Sequence, residues 1–171
     1  MFVALLIAHR FLLKPRQVFD TRAQYCSDYK QHCTLKFLVA ITPNGMFSDV
    51  SPCHGGRASD KCIFNNCAFV SWLEPNDQVM ADRGFKVKED VMVVQARLVI
   101  PQSTCGNLAM SSGDVSETSK IVNVRIYVEQ AIGRLNTFRF MKNEIPISWF
   151  PVCNDIVVVC CSVCNLLDPL C

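Results

Sequence analysis

Two carboxylates, Asp82 and Glu129, stand where carboxylates can do chemistry. Asp82 follows Gln78–Ala81, a short apolar run that reads as a buried strand, and opens the Asp82-Arg83-Gly84-Phe85 string that stops it. Ligands of open α/β sheets gather at strand ends. Glu129 lies in a segment where Ile121, Val124, Val128, Ile132 and Leu135 recur at spacings of three and four, one apolar face of a helix. It directly follows Val128, which places it at the edge of the core-facing stripe. A strand-end carboxylate beside a helix carboxylate can hold Mg²⁺ or Mn²⁺, because Mg²⁺ keeps several of its waters and needs few protein oxygens. Arg125, one helical turn before Glu129, shares its face. A solvated carboxylate or a plain Arg–Glu pair therefore competes with a metal site, and spacing alone does not choose between them.

The elements that must position these residues can be read in order. Phe2–Leu13 is an apolar strand, and Lys14-Pro15-Arg16 ends it because proline cannot donate to a ladder. The polar stretch from Arg16 to Cys33 reads as a loop. Thr34–Thr42 is a second strand, Pro43-Asn44-Gly45 a hairpin turn and Met46–Ser51 the returning strand. Cys53-His54-Gly55-Gly56-Arg57 reads as a flexible loop, and Ser59 or Asp60 can cap a helix running towards Trp72. Glu74-Pro75-Asn76-Asp77 is a turn; Lys86–Val94 is a short helix, Arg97–Ile100 a short strand and Pro101–Met110 a loop. Ser111 opens the longest helix, and a last apolar helix covers about Trp149–Leu167. This order predicts an α/β fold in one domain, residues 1–171, with helices on both faces of a mixed sheet.

Composition excludes several classes. Half of the 171 residues are apolar and 19% are charged, which describes a folded chain with a real core. The formal charge of +2 carries no dense basic tail, but it permits a locally basic face. Eleven cysteines raise the thought of a disulfide scaffold. The chain is long for one, and Cys160, Cys161, Cys164 and Cys171 crowd an apolar stretch where they act as small hydrophobes, so a reducing compartment is expected. The Cys161/Cys164 CxxC pair has no second pair to complete a zinc site, and core packing is the favoured reading. The apolar runs at residues 1–8 and 156–167 are too short to span a bilayer, which needs about 20 residues, and no membrane partner is expected.

Several strings together resemble the DDE superfamily endonuclease domain of PIF/Harbinger-like transposases. They are Ser27–His32, Ile41–Gly45, Gly55–Lys61, Leu73–Asp77, Ala81–Phe85, Val124–Leu135, Ile145–Ile147 and Cys164–Leu166. They occur in order from about residue 14 to residue 170, nearly the whole chain. The resemblance implies an RNase H-like fold, a DNA partner and a triad of acids holding two divalent ions for phosphodiester hydrolysis or strand transfer, the kind of site that suits phosphoryl transfer. It matches Asp82 to the second acid and Glu129 to the third, as catalytic and metal-binding residues. It also implies a nuclear location and leaves room for a separate DNA-binding protein as partner.

The first acid of that pattern is missing. Its position, nine residues before Pro15, is Leu6, and the polar position three residues on is His9. Leucine offers no oxygen ligand, so the resemblance carries an expectation of weakened or absent cleavage. His9 is a softer donor suited to zinc, and strand alternation faces it away from Leu6. The domain is expected to be shortened at its N-terminus, since Met1 stands five residues before Leu6. The alternative function is a non-catalytic module that binds DNA or protein. Lys30, His32, Lys36, Arg57, Lys61 and Arg83 fall in the family-like strings and are expected DNA contacts, with ordinary surface charge the competing reading. Asp60 is expected to cap a helix and position the Gly-Gly-Arg loop.

Overall fold

The computed structural model of the chain describes residues 2–14, 33–81, 85–100 and 112–170, and for residues 2–14, 33, 112–123 and 147 the backbone alone. Strand β1 (Phe2–Lys14) is the spine of the sheet. β2 (Cys33–Ile41) runs antiparallel to it, with Leu5 opposite Ile41 and Leu13 opposite Cys33. The chain turns at Thr42–Met46 and returns as β3 (Phe47–Val50), antiparallel to β2. Gly45 makes this hairpin possible, because its φ of +84° suits a residue without a side chain, and a Cβ there would also strike Leu170. β5 (Gln78–Ala81) lies parallel to the start of β1, and β6 (Arg97–Val99) lies parallel to β5. The path is β3-β2-β1-β5-β6, three antiparallel strands followed by two parallel ones.

Two short strands sit off this path. β4 (His54–Gly55) pairs with Leu35 and Lys36 of β2, so the segment expected to be a flexible loop is bonded to the sheet. Gly56 explains the close approach: a Cβ there would meet the Thr34 side chain and lie 2.9 Å from its carbonyl oxygen. β7 (Ile145–Pro146) pairs in parallel with Leu13 and Lys14.

Alternation along β2 divides the core in two. Leu35, Phe37, Val39 and Ile41 face one cluster with Met80 and with two helices, α3 (Ser112–Leu135) and α5 (Phe150–Asn165). Val128, Ala131 and Leu135 are the buried face of α3, with Val124 and Ile132 at its margin, as the apolar spacing predicts. Leu38 and Ala40 face the other cluster with Val79 and Ala81, covered by α1 (Asp60–Asn65), a 3₁₀ turn (Ala68–Trp72) and α2 (Lys88–Val93). Helices on both faces of a mixed sheet are therefore observed. Cys153, Cys160, Cys161 and Cys164 point from α5 into the first cluster, and all seven cysteines whose side chains are described are free thiols.

The helix expected to run from Ser59 towards Trp72 stops at Asn65. Its start is as read: the Ser59 hydroxyl accepts from Cys62 N–H at 3.1 Å. Its end is set from a distance. Asp49 on β3 accepts hydrogen bonds from Phe69 N–H and from the Cys67 thiol, both at 2.9 Å, which holds the chain out of helical register. Between α3 and α5 lie a four-residue helix, α4 (Arg139–Lys142), then β7 and a second 3₁₀ turn (Ile147–Trp149), none of which the apolar spacing marks.

α5 is fastened to the sheet by two asparagines. The Asn165 amide donates to Phe47 C=O at 2.9 Å and accepts from Phe47 N–H at 2.8 Å. Asn154 Oδ1 accepts from Cys53 N–H at 2.7 Å. Because β3 is an edge strand, Asn165 supplies to Phe47 the pair of bonds that a further strand would make.

Candidate active site

The sheet register brings two of the sequence-marked positions side by side. Leu6 stands opposite Ala40 on one side and Ala81 on the other. Ala81 is the last residue of β5, and Asp82 is the next residue in the chain. Asp82 and Arg83 lie outside the described residues, as do Lys30 and His32. His9 is opposite Phe37, three positions further along β1. The strand end expected to hold the second acid thus adjoins the position expected to hold the first, and that position is a leucine.

Glu129 sits one residue past the fully buried Val128, on the solvent side of α3. Its side chain is 63% exposed, and Oε1 accepts from Arg125 Nε at 2.9 Å. The shared helical face expected from the sequence is occupied by this i,i+4 ion pair. Exposed pairs of this kind contribute only about 0.3–0.5 kcal/mol, so a stronger ligand can displace the guanidinium.

Of the expected DNA contacts, Lys36 and Lys61 meet named acidic neighbours. Lys36 is nearly buried: its ammonium donates to Ala58 C=O at 2.9 Å and lies 3.5 Å from the Asp60 carboxylate. Lys36 therefore ties β2 to the turn before α1, and Asp60, in the first turn of that helix, both favours the helix dipole and anchors this lysine. Ser59, not Asp60, provides the capping bond. Lys61 is half exposed and pairs with Asp90 at 3.2 Å and Glu89 at 3.7 Å. Arg57 is exposed on the turn after β4. His54, on β4 beside Lys36, has a buried Nε2 without a hydrogen-bond partner, and burial pushes its pKa below 6.5.

A divalent cation needs oxygen donors. Leu6 has none, the Glu129 carboxylate holds Arg125, and among the described residues no three His, Cys, Asp or Glu side chains group as ligands. The described donors alone do not make a cation site. Burial pushes the Cys161 thiol up to about 12 and raises Cys160 and Cys164, which agrees with core packing of the CxxC pair.

Three antiparallel strands, two parallel ones, helices on both faces and an acid next in the chain after an inner strand define a mixed α/β domain compatible with a DDE nuclease fold. The chain belongs to the DDE superfamily endonuclease family, whose model matches residues 9–165. That span includes Asp82 and Glu129 and begins three residues after Leu6. No curated protein and no solved structure matches the chain. Among the described residues no helix is long and apolar enough to cross a membrane.

Proposed function

We propose that this chain is a transposase-derived DNA-processing domain of the Harbinger kind that has kept the scaffold of a DDE endonuclease and lost most or all of its cleavage. The observation that carries the reading is the register of Leu6 with Ala81, which sets a leucine position beside the strand end that leads to Asp82. The strand order and the helices on both faces support an RNase H-like arrangement. Asp82 and Glu129 are the residues that would hold Mg²⁺ or Mn²⁺. A site that works largely by electrostatics loses both a ligand and a charge when its first carboxylate is a leucine. The Arg125–Glu129 pair favours a second reading, a module that binds DNA without cutting it, because Glu129 already has a cationic partner. A nuclear location follows from a DNA partner, and a separate DNA-binding protein is compatible with either reading.

A plasmid-nicking assay with Mg²⁺ or Mn²⁺ tests the proposal on three proteins. The wild type is expected to nick weakly or not at all, Leu6→Asp to nick faster, and the double variant Leu6→Asp/Asp82→Ala to lose that gain. Wild-type nicking as fast as that of Leu6→Asp would mean that position 6 is not the missing ligand.

A further inference from the structure

We propose that the stacked rings of Phe140 and Trp149, with the cations Arg139 and Lys142, form a contact surface for an unpaired stretch of DNA, distinct from the Asp82/Glu129 pair. The inference rests on the reading of the chain as a DNA-processing domain.

The two rings are stacked, with centroids 6.3 Å apart and planes inclined by 23°. Phe140 is half-buried against the α3/α5 core, whereas Trp149 is 48% exposed. The indole is thus fixed on one side and open on the other. Single exposed apolar residues are common on protein surfaces. What distinguishes Trp149 is that it stacks on a residue of a short helix carrying two cations. From Gln130 to Asn143 the chain carries Arg134, Arg139 and Lys142 and no carboxylate; Glu144 follows. Arg134 donates to the Asp168 carbonyl at 2.7 Å. Arg139 and Lys142 are exposed, on the same short helix as Phe140, and make no ion pair among the described residues.

The position of this surface fits a role beside the strand end. β7, which lies between α4 and Trp149, pairs with β1 at Leu13–Lys14, on the same edge of β1 that β5 occupies at Phe2–Leu6. Seven residue steps of extended strand run from Leu6 to Leu13, about 23 Å at roughly 3.3 Å per residue. Along this edge, β5 points towards β7.

The chemistry selects an unpaired strand over a duplex. A flat, half-open indole offers one face for a base to stack on, and the cations on the helix of its ring partner can neutralise phosphates. In a duplex the base faces are already covered by their neighbours, so only the cations would contribute.

Intrinsic fluorescence tests this directly, because the chain has two tryptophans and Trp72→Phe leaves Trp149 as the only indole. The probes are a thymidine oligonucleotide and a blunt two-strand DNA duplex of equal length. The oligonucleotide is expected to quench Trp149 emission, with little quenching by the duplex. Trp149→Leu is expected to weaken oligonucleotide binding about tenfold, within the range measured for loss of one base–aromatic stack. Arg139→Gln with Lys142→Gln, which leaves the rings in place, should flatten the slope of log affinity against log salt by roughly 1.4, about 0.7 for each phosphate that is no longer neutralised. Should Trp149→Leu fail to fold, quenching in Trp72→Phe and the salt slope still carry the test. DNA binding with unchanged Trp149 emission and an unchanged salt slope overturns this inference and leaves the proposed function standing. Failure of the folded protein to bind either DNA overturns both.

Discussion

Replacing Asn165 with leucine removes both hydrogen bonds that its amide makes to Phe47. Each bond contributes about 1 kcal/mol net, and a buried backbone group left without a partner costs about 1–3 kcal/mol. Phe47 is nearly buried and belongs to the core cluster under α5, so water reaches its N–H and C=O poorly. The expected loss is about 2–4 kcal/mol. With a urea m-value of roughly 1–3 kcal/mol per molar, the midpoint should fall by about 1–2 M. Asn154→Leu is the internal comparison, because that side chain makes one bond, to Cys53 N–H, and should cost about half as much. Asn165→Asp should fall between wild type and leucine, since it keeps the acceptor, loses the donor and sets a carboxylate against the Phe47 carbonyl. Amide exchange at Phe47 gives a local reading and should quicken more than exchange at Val39, deep in β2. An Asn165→Leu protein that unfolds within about 0.3 kcal/mol of wild type would refute the reasoning, because such a loss is below that of one ordinary hydrogen bond.

Two further outcomes follow from buried titratable groups. Burial lowers the pKa of His54 from 6.5, so the unfolded chain binds a proton more readily than the folded one. Its contribution to stability is complete above pH 6.5 and is lost as pH falls towards the folded value; His54→Phe should flatten the stability profile in that window, and identical pH profiles would contradict the burial of this ring. Iodoacetamide at pH 8 should label Cys62 first among the seven cysteines with described side chains, because Cys62 is exposed, whereas burial pushes Cys53, Cys67 and Cys161 up to about 12. Peptide mass mapping reads this out, and early labelling of Cys161 would argue against its place in the core.

Much of the scaffold is written in local sequence. The apolar run of Thr34–Thr42, the Asn44-Gly45 turn and the apolar stripe of α3 are each local signals that burial and backbone geometry then satisfy, so the strand, the hairpin and the buried face of the helix are found where they are expected. Ser59 is legible for the same reason, because a cap bonds to a residue only three positions away. Segments whose partners are distant were not legible. His54–Gly55 reads as loop until β2 lies beside it, and α1 reads as a longer helix until Asp49 accepts the N–H of Phe69.

The candidate site divides along the same line. The sequence by itself marks Asp82 at a strand end, Glu129 beside a buried helical position, and a leucine where the family pattern has its first acid. It shows Arg125 within reach of Glu129 but not whether the two meet. Only the tertiary structure sets Leu6 opposite Ala81, buries Lys36 against Ala58 and Asp60, and stacks Trp149 on Phe140. The physical reason is range. Periodicity and capping act over a few residues and leave their mark in the order of side chains, whereas strand register and long-range hydrogen bonds depend on which distant surfaces the core brings together.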